Sequence, residues 1–195
     1  AKKLAKMGAE KGIMLSGMMR DQTVANFMNE GLQPANTIMI ASDLQFMAVL
    51  TTLSLGINFI GDEVAKAIAE ALKVNAVLTK LVLYSISIGD EGAIAIAEAL
   101  KVNAVMTTLD LGHNNIGVEG AKAIAEALKV TAVVTTLFLN RNSMGDEGAI
   151  AIAEALKVNA VLTKLDIRAN DDMGDAGKKA VRDAVKDRSG FVLQL

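Results

Sequence analysis

The sequence predicts an α/β solenoid, in which short parallel strands and helices alternate along a repeated unit. The first observation is verbatim repetition: AIAEALKVNAV occurs at 67–77, 95–105 and 151–161, and again at 123–133 with Thr131 in place of Asn. The second is a period of 28 residues, which sets Leu53, Leu81, Leu109, Leu137, Leu165 and Leu193 in one frame. Units of this length bury an apolar face only against their neighbours, so they stack.

Each repeat is predicted to begin with a short strand. An apolar residue recurs two positions after each reference leucine, as at Leu55 and Leu83, and this period of two puts both side chains on one face. The outward positions then form three rows across a parallel sheet. The rows are Thr52, Lys80, Thr108, Thr136 and Lys164; Ser54, Val82, Asp110, Phe138 and Asp166; and Gly56, Tyr84, Gly112, Asn140 and Arg168.

A helix is predicted to follow each strand. Apolar residues at i, i+3, i+4 and i+7 form one helical face, which in the first repeat is Ala65, Ile68, Ala69 and Leu72. Asp62 and Glu63 lie at the helix start, where acids complement the dipole. We expect Asn75 to end the helix as a left-handed cap.

In four repeats the pattern LxxLxL leads to an asparagine and then to a turn such as Gly-Asp-Glu-Gly. These asparagines are Asn58, Asn114, Asn142 and Asn170. With its 28-residue period, this pattern resembles the leucine-rich repeat of the ribonuclease-inhibitor type over roughly residues 48–195. The resemblance implies a horseshoe arc with a parallel sheet on the concave face and helices on the convex face. It also implies protein binding as the default function.

Composition divides the chain into four predicted parts. Residues 1–21 form a basic, Met-rich arm, residues 22–49 a degenerate capping repeat, and residues 50–189 five 28-residue repeats. Residues 190–195 begin a sixth strand. We expect that strand to leave a sheet edge that a partner or further chain covers.

Composition and motifs also exclude several kinds of site. The formal charge of −2 gives no reason to expect a nucleic-acid partner, and the absence of Cys excludes disulfides and Cys-ligated metals. No apolar run reaches the roughly 18 residues of a membrane span. The paired acids at helix starts are interpreted as capping, with weak calcium binding as the alternative. We therefore predict no enzyme activity, no cofactor and no metal site.

The predicted binding surface is the variable concave face. Aromatic and arginine side chains are preferred interface anchors, and they are scattered here on a nearly constant framework. The candidate residues are Lys80, Tyr84, Asp110, His113, Phe138, Arg141, Lys164 and Arg168. Neutral surface variation is the alternative, particularly for His113, the only histidine. A second strip is considered on the helices, where Ile94 and Ile150 alternate with Lys66 and Lys122.

The N-terminal arm is a second candidate docking element. Its proposed contact residues are Lys2, Lys3, Lys6, Ile13, Met14, Met18 and Met19. They would bind another subunit or, through residues 1–20, a membrane surface, while packing on the first repeat is the alternative. The lysines before a short apolar run also resemble the end of a targeting sequence.

We predict a non-enzymatic protein–protein interaction scaffold, an accessory subunit docked on a larger assembly. The repeat sequence resembles repeat families of plastid-bearing unicellular eukaryotes, which implies an organellar, photosynthetic complex. An intracellular or organellar location is favoured, with the chloroplast as one candidate. The alternatives are a GTPase-activating protein using a loop residue such as Arg141 or Asn142, and a ribonuclease-inhibitor-like inhibitor.

Overall fold

The computed structural model describes residues 14–195. Within that range, short strands form one sheet along one side of the chain. In chain order they are β1 (Val24–Asn26), β2 (Thr52–Ser54), β3 (Lys80–Val82), β4 (Thr108–Asp110), β5 (Thr136–Phe138), β6 (Lys164–Asp166) and β7 (Val192–Gln194).

Helices alternate with the strands and cover the other side of the sheet. They are α1 (Pro34–Asp43), α2 (Asp62–Leu72), α3 (Asp90–Leu100), α4 (Val118–Val130), α5 (Gly145–Val158) and α6 (Asp175–Val185), with a 3₁₀ turn at Leu44–Phe46. None of the helices in residues 14–195 has the length and apolar character needed to cross a membrane.

The strands pair in parallel and in chain order from β1 to β7. Their register aligns residues 28 apart, so Thr52 pairs with Lys80 and Leu53 pairs with Leu81. The last pairing sets Leu193 beside Leu165. The α/β solenoid is therefore confirmed, and the first two predicted rows follow from the register.

The core lies between the sheet and the helices. The strand residues Leu53 and Leu81 are fully buried, as are Ile68 and Leu72 on the inner face of α2. Burying one leucine contributes roughly 2 kcal/mol, so a leucine column that crosses every repeat stabilises the stack continuously. Stacking the repeats also fixes the positions of the strand residues that face outward.

The acids at the helix starts connect one repeat to the next. Asp62 Oδ1 accepts hydrogen bonds from the backbone N–H groups of Gly89 at 2.7 Å and Gly92 at 3.1 Å. Asp90 does the same for the first turn of α4. The predicted capping role thus extends to the following helix, whose first N–H groups lack a partner within that helix.

The predicted left-handed cap at Asn75 is wrong, because Asn75 does not have a positive φ. The asparagines at this position instead bridge repeats. The amide of Asn103 donates to the carbonyl oxygens of Leu72 and Asn75 at 2.8 and 3.1 Å. Its Oδ1 accepts the backbone N–H groups of Val105 and Met106 at 3.0 and 2.8 Å. The amide therefore closes the turn after the C-terminus of its own helix, which we call the helix exit, and joins it to the exit of the preceding helix.

The residues before β1 pack on the first helix. Asp43 is buried at the end of α1, and its Oδ2 accepts the backbone N–H groups of Leu15 and Ser16, each at 2.7 Å. Met18 is buried and Met14 packs against the core, whereas Met19 is 66% exposed. The other proposed docking residues lie outside the described residues: Lys2, Lys3, Lys6 and Ile13.

Candidate binding face

The concave face of the sheet carries the predicted binding residues of the strands. Lys80 is exposed, and Asp110, Phe138 and Lys164 are half-buried. Adjacent strands of a sheet are about 4.8 Å apart, so side chains in one row contact each other across repeats. The parallel register thus turns residues that are distant in the sequence into one continuous surface.

Phe138 and Lys164 form a cation–π contact on this surface. Lys164 Nζ lies 5.0 Å from the centre of the Phe138 ring. Such contacts contribute about 0.5–1 kcal/mol at exposed sites. The contact holds an aromatic face and a positive charge side by side on the concave face.

Tyr84 and His113 form an aromatic pair, with ring centres 5.5 Å apart and planes inclined by 36°. Beside them lies a depression of about 470 Å³ lined by Tyr84, Asn140, Arg141, Arg168 and Ala169. The row position between Tyr84 and Asn140 is Gly112. A Cβ at Gly112 would lie 2.7 Å from Asn140 Oδ1, so a side chain at position 112 would require the Asn140 amide to move.

Arg168 is held at the edge of the depression by Asp166. Its Nε and Nη2 donate to the two carboxylate oxygens of Asp166 at 3.0 and 2.7 Å. This hydrogen bonding raises the pKa of Arg168. Asp166 is buried, so the fork-to-carboxylate contact fixes the guanidinium in one orientation.

Asp110 has a different electrostatic environment. Burial raises the pKa of Asp110 above its usual value of 3.8, and the nearby Asp166 acts in the same direction. The Gly112 backbone N–H, which donates to Asp110 Oδ1 at 2.9 Å, and Lys80 oppose that shift. The ionised form of Asp110 is therefore less stable in the folded chain than in water.

A column of left-handed residues, which we call the rim, follows the strands. Each backbone N–H in the middle of the rim donates to the strand end of the next repeat, as from His113 to Asn140 at 2.7 Å and from Arg141 to Arg168 at 2.8 Å. Sequence reasoning missed this conformation. The rim residues have φ between 53° and 59°: Asn29, Ile57, Ser85, His113, Arg141 and Ala169.

Sequence reasoning also missed two apolar residues of the first repeat, one in the rim and one just after it. Ile57 is 45% exposed and Phe59, two positions further on, is 79% exposed. The later repeats carry Ser, Asn, Ser and Asp at the position of Phe59, and Ser, His, Arg and Ala at that of Ile57. This departure from the repeat was the available signal.

On the helix face, the isoleucines of the second candidate contact strip are not adjacent. Ile94 and Ile150 are 39% and 40% exposed, as predicted, but they lie two repeats apart. Between them Lys122 pairs with Glu147 at 2.9 Å. The helix exits add a row of exposed valines that sequence reasoning missed: Val74, Val102, Val130 and Val158.

The described residues offer little for catalysis or metal binding. Within residues 14–195 no group of three or more His, Asp or Glu side chains is placed to hold a metal ion. Asn142 is buried, and its amide donates to the carbonyl oxygens of Leu111 and Leu139, each at 3.0 Å. Arg141 is exposed and remains available to a ligand.

A family model described as leucine-rich repeat matches residues 74–97, 102–125, 133–153 and 158–181. The chain is a leucine-rich-repeat protein. Its matched repeats contain the strand and helix positions described above, so the concave face is the variable surface of a leucine-rich-repeat arc.

Solved leucine-rich-repeat structures share this fold. A leiomodin-1 domain described as actin-binding site 2 superposes with a TM-score of 0.61 at 25% identity, covering 77% of this chain and 86% of that one. The tropomodulin C-terminal domain of Caenorhabditis elegans gives 0.57 at 17% identity, covering 68% and 81%. A comparison of the sequence with curated proteins finds no match.

Proposed function

We propose that this leucine-rich-repeat protein is a non-enzymatic scaffold that binds a protein partner on its concave face. The observation that carries the proposal is the contrast between a framework repeated almost verbatim and a surface on which Tyr84, Phe138 and Arg141 change from repeat to repeat. Tyrosine and arginine are the side chains most often found to dominate binding energy.

The contacts on this face support a role in binding. Arg168 is fixed by Asp166 and Phe138 is held beside Lys164, so both side chains are ordered before a partner arrives. Binding to an ordered surface loses less conformational entropy than binding to a mobile one.

Site-specific photo-crosslinking tests the proposal. A benzophenone amino acid is placed at Tyr84 or Phe138 on the concave face, and at Ile94 or Ile150 on the helices. With an extract of the source cells, we expect both concave positions to crosslink one common protein, identified by mass spectrometry, and the helix positions not to. Equal yields from the two faces would contradict the proposal.

Actin is the first purified partner to assay, because the leiomodin-1 domain that this chain resembles is described as an actin-binding site. Co-sedimentation with filamentous actin, alongside native gel shift with monomeric actin, compares the chain with its Arg141→Ser variant. Binding that the variant weakens identifies actin as the partner, and absence of binding to both forms removes it.

The finer proposal is that the chain is an accessory subunit of a larger organellar, photosynthetic assembly. It rests on the resemblance of the repeat sequence to repeat families of plastid-bearing unicellular eukaryotes. Native gel electrophoresis of a chloroplast fraction, probed with an antibody to the chain, tests it. Migration at the 20.4 kDa of the monomer would contradict it.

A further inference from the structure

The rim changes character between the first and the fourth repeat. Ile57, with Phe59 beside it, makes the first repeat apolar, whereas Arg141 makes the fourth repeat cationic. Ser85 and His113 lie between them, so the rim passes from apolar through polar to positive. A surface with this polarity distinguishes the two ends of a bound chain.

The apolar end is unfavourable for the free protein in two ways. Ile57 is β-branched and has φ of 55°, a conformation that such side chains rarely adopt. Its side chain is also exposed, as is that of Phe59. Between them lies a depression of about 170 Å³, whose walls include Asn29, Ser85 and Ser87. An apolar side chain from a partner would cover both residues.

The cationic end is formed by one exposed guanidinium, that of Arg141. Within residues 14–195 the Arg141 side chain forms no ion pair, although Asp171 lines the neighbouring depression of about 450 Å³. Arg168 is paired with Asp166, so its charge is balanced, whereas that of Arg141 is not. A guanidinium binds a carboxylate through two parallel hydrogen bonds.

The spacing between the two ends sets the length of the ligand. Ile57 and Arg141 are three repeats apart, which is about 14 Å across a parallel sheet. An extended chain rises about 3.3 Å per residue. An apolar residue and an acidic residue separated by about four positions therefore match the two ends.

We propose that the rim binds an extended peptide segment of a partner protein, with a large apolar residue at Ile57 and Phe59 and a carboxylate about four residues away at Arg141. The proposal rests on the function proposed above and specifies the partner's chemistry. The occupant is an acidic peptide rather than a nucleic acid or a membrane, because the rim offers a single guanidinium and, about 14 Å away, an apolar depression.

Selection from a random twelve-residue peptide display library on the full chain tests the proposal. We expect enriched sequences to pair Leu, Ile, Phe or Met with Asp or Glu at a separation of about four. A fluorescein-labelled consensus peptide is then titrated by anisotropy. The repeat itself supplies neutral substitutions: Arg141→Ser copies Ser85, Phe59→Ser copies Ser87, and Lys122→Ile on the helix face copies Ile94 as the control.

We expect Arg141→Ser and Phe59→Ser each to weaken binding about tenfold, and Lys122→Ile to change it less than twofold. Affinity should also fall as salt rises. Peptides without an acid, no enrichment, or equal effects of Arg141→Ser and Lys122→Ile would each overturn the inference. The wider concave-face proposal survives those results if photo-crosslinks from Tyr84 and Phe138 still recover a common protein, and fails if they do not.

Discussion

Asp62 occupies the space that a side chain at Gly92 would need. Its Oδ1 accepts the Gly92 backbone N–H at 3.1 Å, and a Cβ added at Gly92 would lie 2.5 Å from that oxygen. The glycine and the acid belong to consecutive repeats. Asp62 thus reaches the start of α3 only because position 92, in the first turn of that helix, has no side chain.

The first prediction follows from this contact. Gly92→Ala should destabilise the chain by about 1–2 kcal/mol, because overpacking exceeds the gain in helix propensity. Urea unfolding monitored by circular dichroism measures the change. The double variant Asp62→Ala/Gly92→Ala should recover part of the loss relative to the sum of the single variants. Stabilisation by Gly92→Ala alone would show that the contact is not restrictive.

The second prediction separates the two neighbouring acids of one helix start. Asp90→Ala should reduce the free energy of unfolding by about 1–2 kcal/mol, because two N–H groups of α4 lose their acceptor. Glu91→Ala removes the same charge but only an exposed pair with Lys66, so its effect should stay below about 0.5 kcal/mol. Equal losses in urea unfolding would mean that charge, rather than capping, matters at these positions.

The third prediction concerns the one repeat in which Thr131 replaces the exit asparagine. Thr131 Oγ1 is buried without a hydrogen-bond partner. Thr131→Asn should let the amide reach the preceding exit, as Asn103 does, and stabilise the chain by about 1 kcal/mol. The reverse change, Asn103→Thr, should destabilise it by at least as much. Differential scanning calorimetry measures both, and a lower melting temperature for Thr131→Asn would contradict the role given to the amide.

The fourth prediction is a pH dependence at Asp110. Because the pKa of Asp110 in the folded chain lies above its usual 3.8, Asp110 is protonated at a higher pH in the folded chain than in the unfolded chain. Asp110 therefore reduces stability at neutral pH, and this loss disappears as the pH drops through the folded pKa toward 3.8. Asp110→Asn should melt roughly 1–2 °C higher than the original chain at pH 7. Thermal melts from pH 7 to pH 3 should show that the difference in melting temperature becomes smaller. A difference that grows as the pH falls would contradict the predicted destabilisation by ionised Asp110.

Hydrophobic spacing in the sequence predicts the fold because the core repeats with it. Leu53 and Ile68 are identified by periods of two and 3.6 residues, and a constant step of 28 residues determines which strands pair. The pattern carries no information about φ, so the left-handed rim was not predicted, least of all at Ile57. Asn75 was misinterpreted as a local cap because its amide bonds to Leu44, 31 positions earlier in the chain.

The candidate site was predicted only as a list of variable positions. The sequence identified Tyr84 and Arg168 by their departure from the repeat, but it did not show that Asp166 is buried and orients Arg168. Phe59 was overlooked because the turns were compared as framework rather than surface. Contacts between repeats, which decide which side chains are free, depend on the three-dimensional stacking.

The central claim is that the concave face binds the partner and the repeated helices do not. The most direct measurement is the affinity of the crosslinked partner for a concave-face variant built from residues that other repeats use: Tyr84→Gly, Phe138→Ser and Arg141→Ser. Calorimetric titration compares it with a helix-face variant, Lys66→Ile and Lys122→Ile. We predict at least a hundredfold loss for the first and less than a twofold change for the second. Unchanged affinity in a folded concave-face variant would contradict the account.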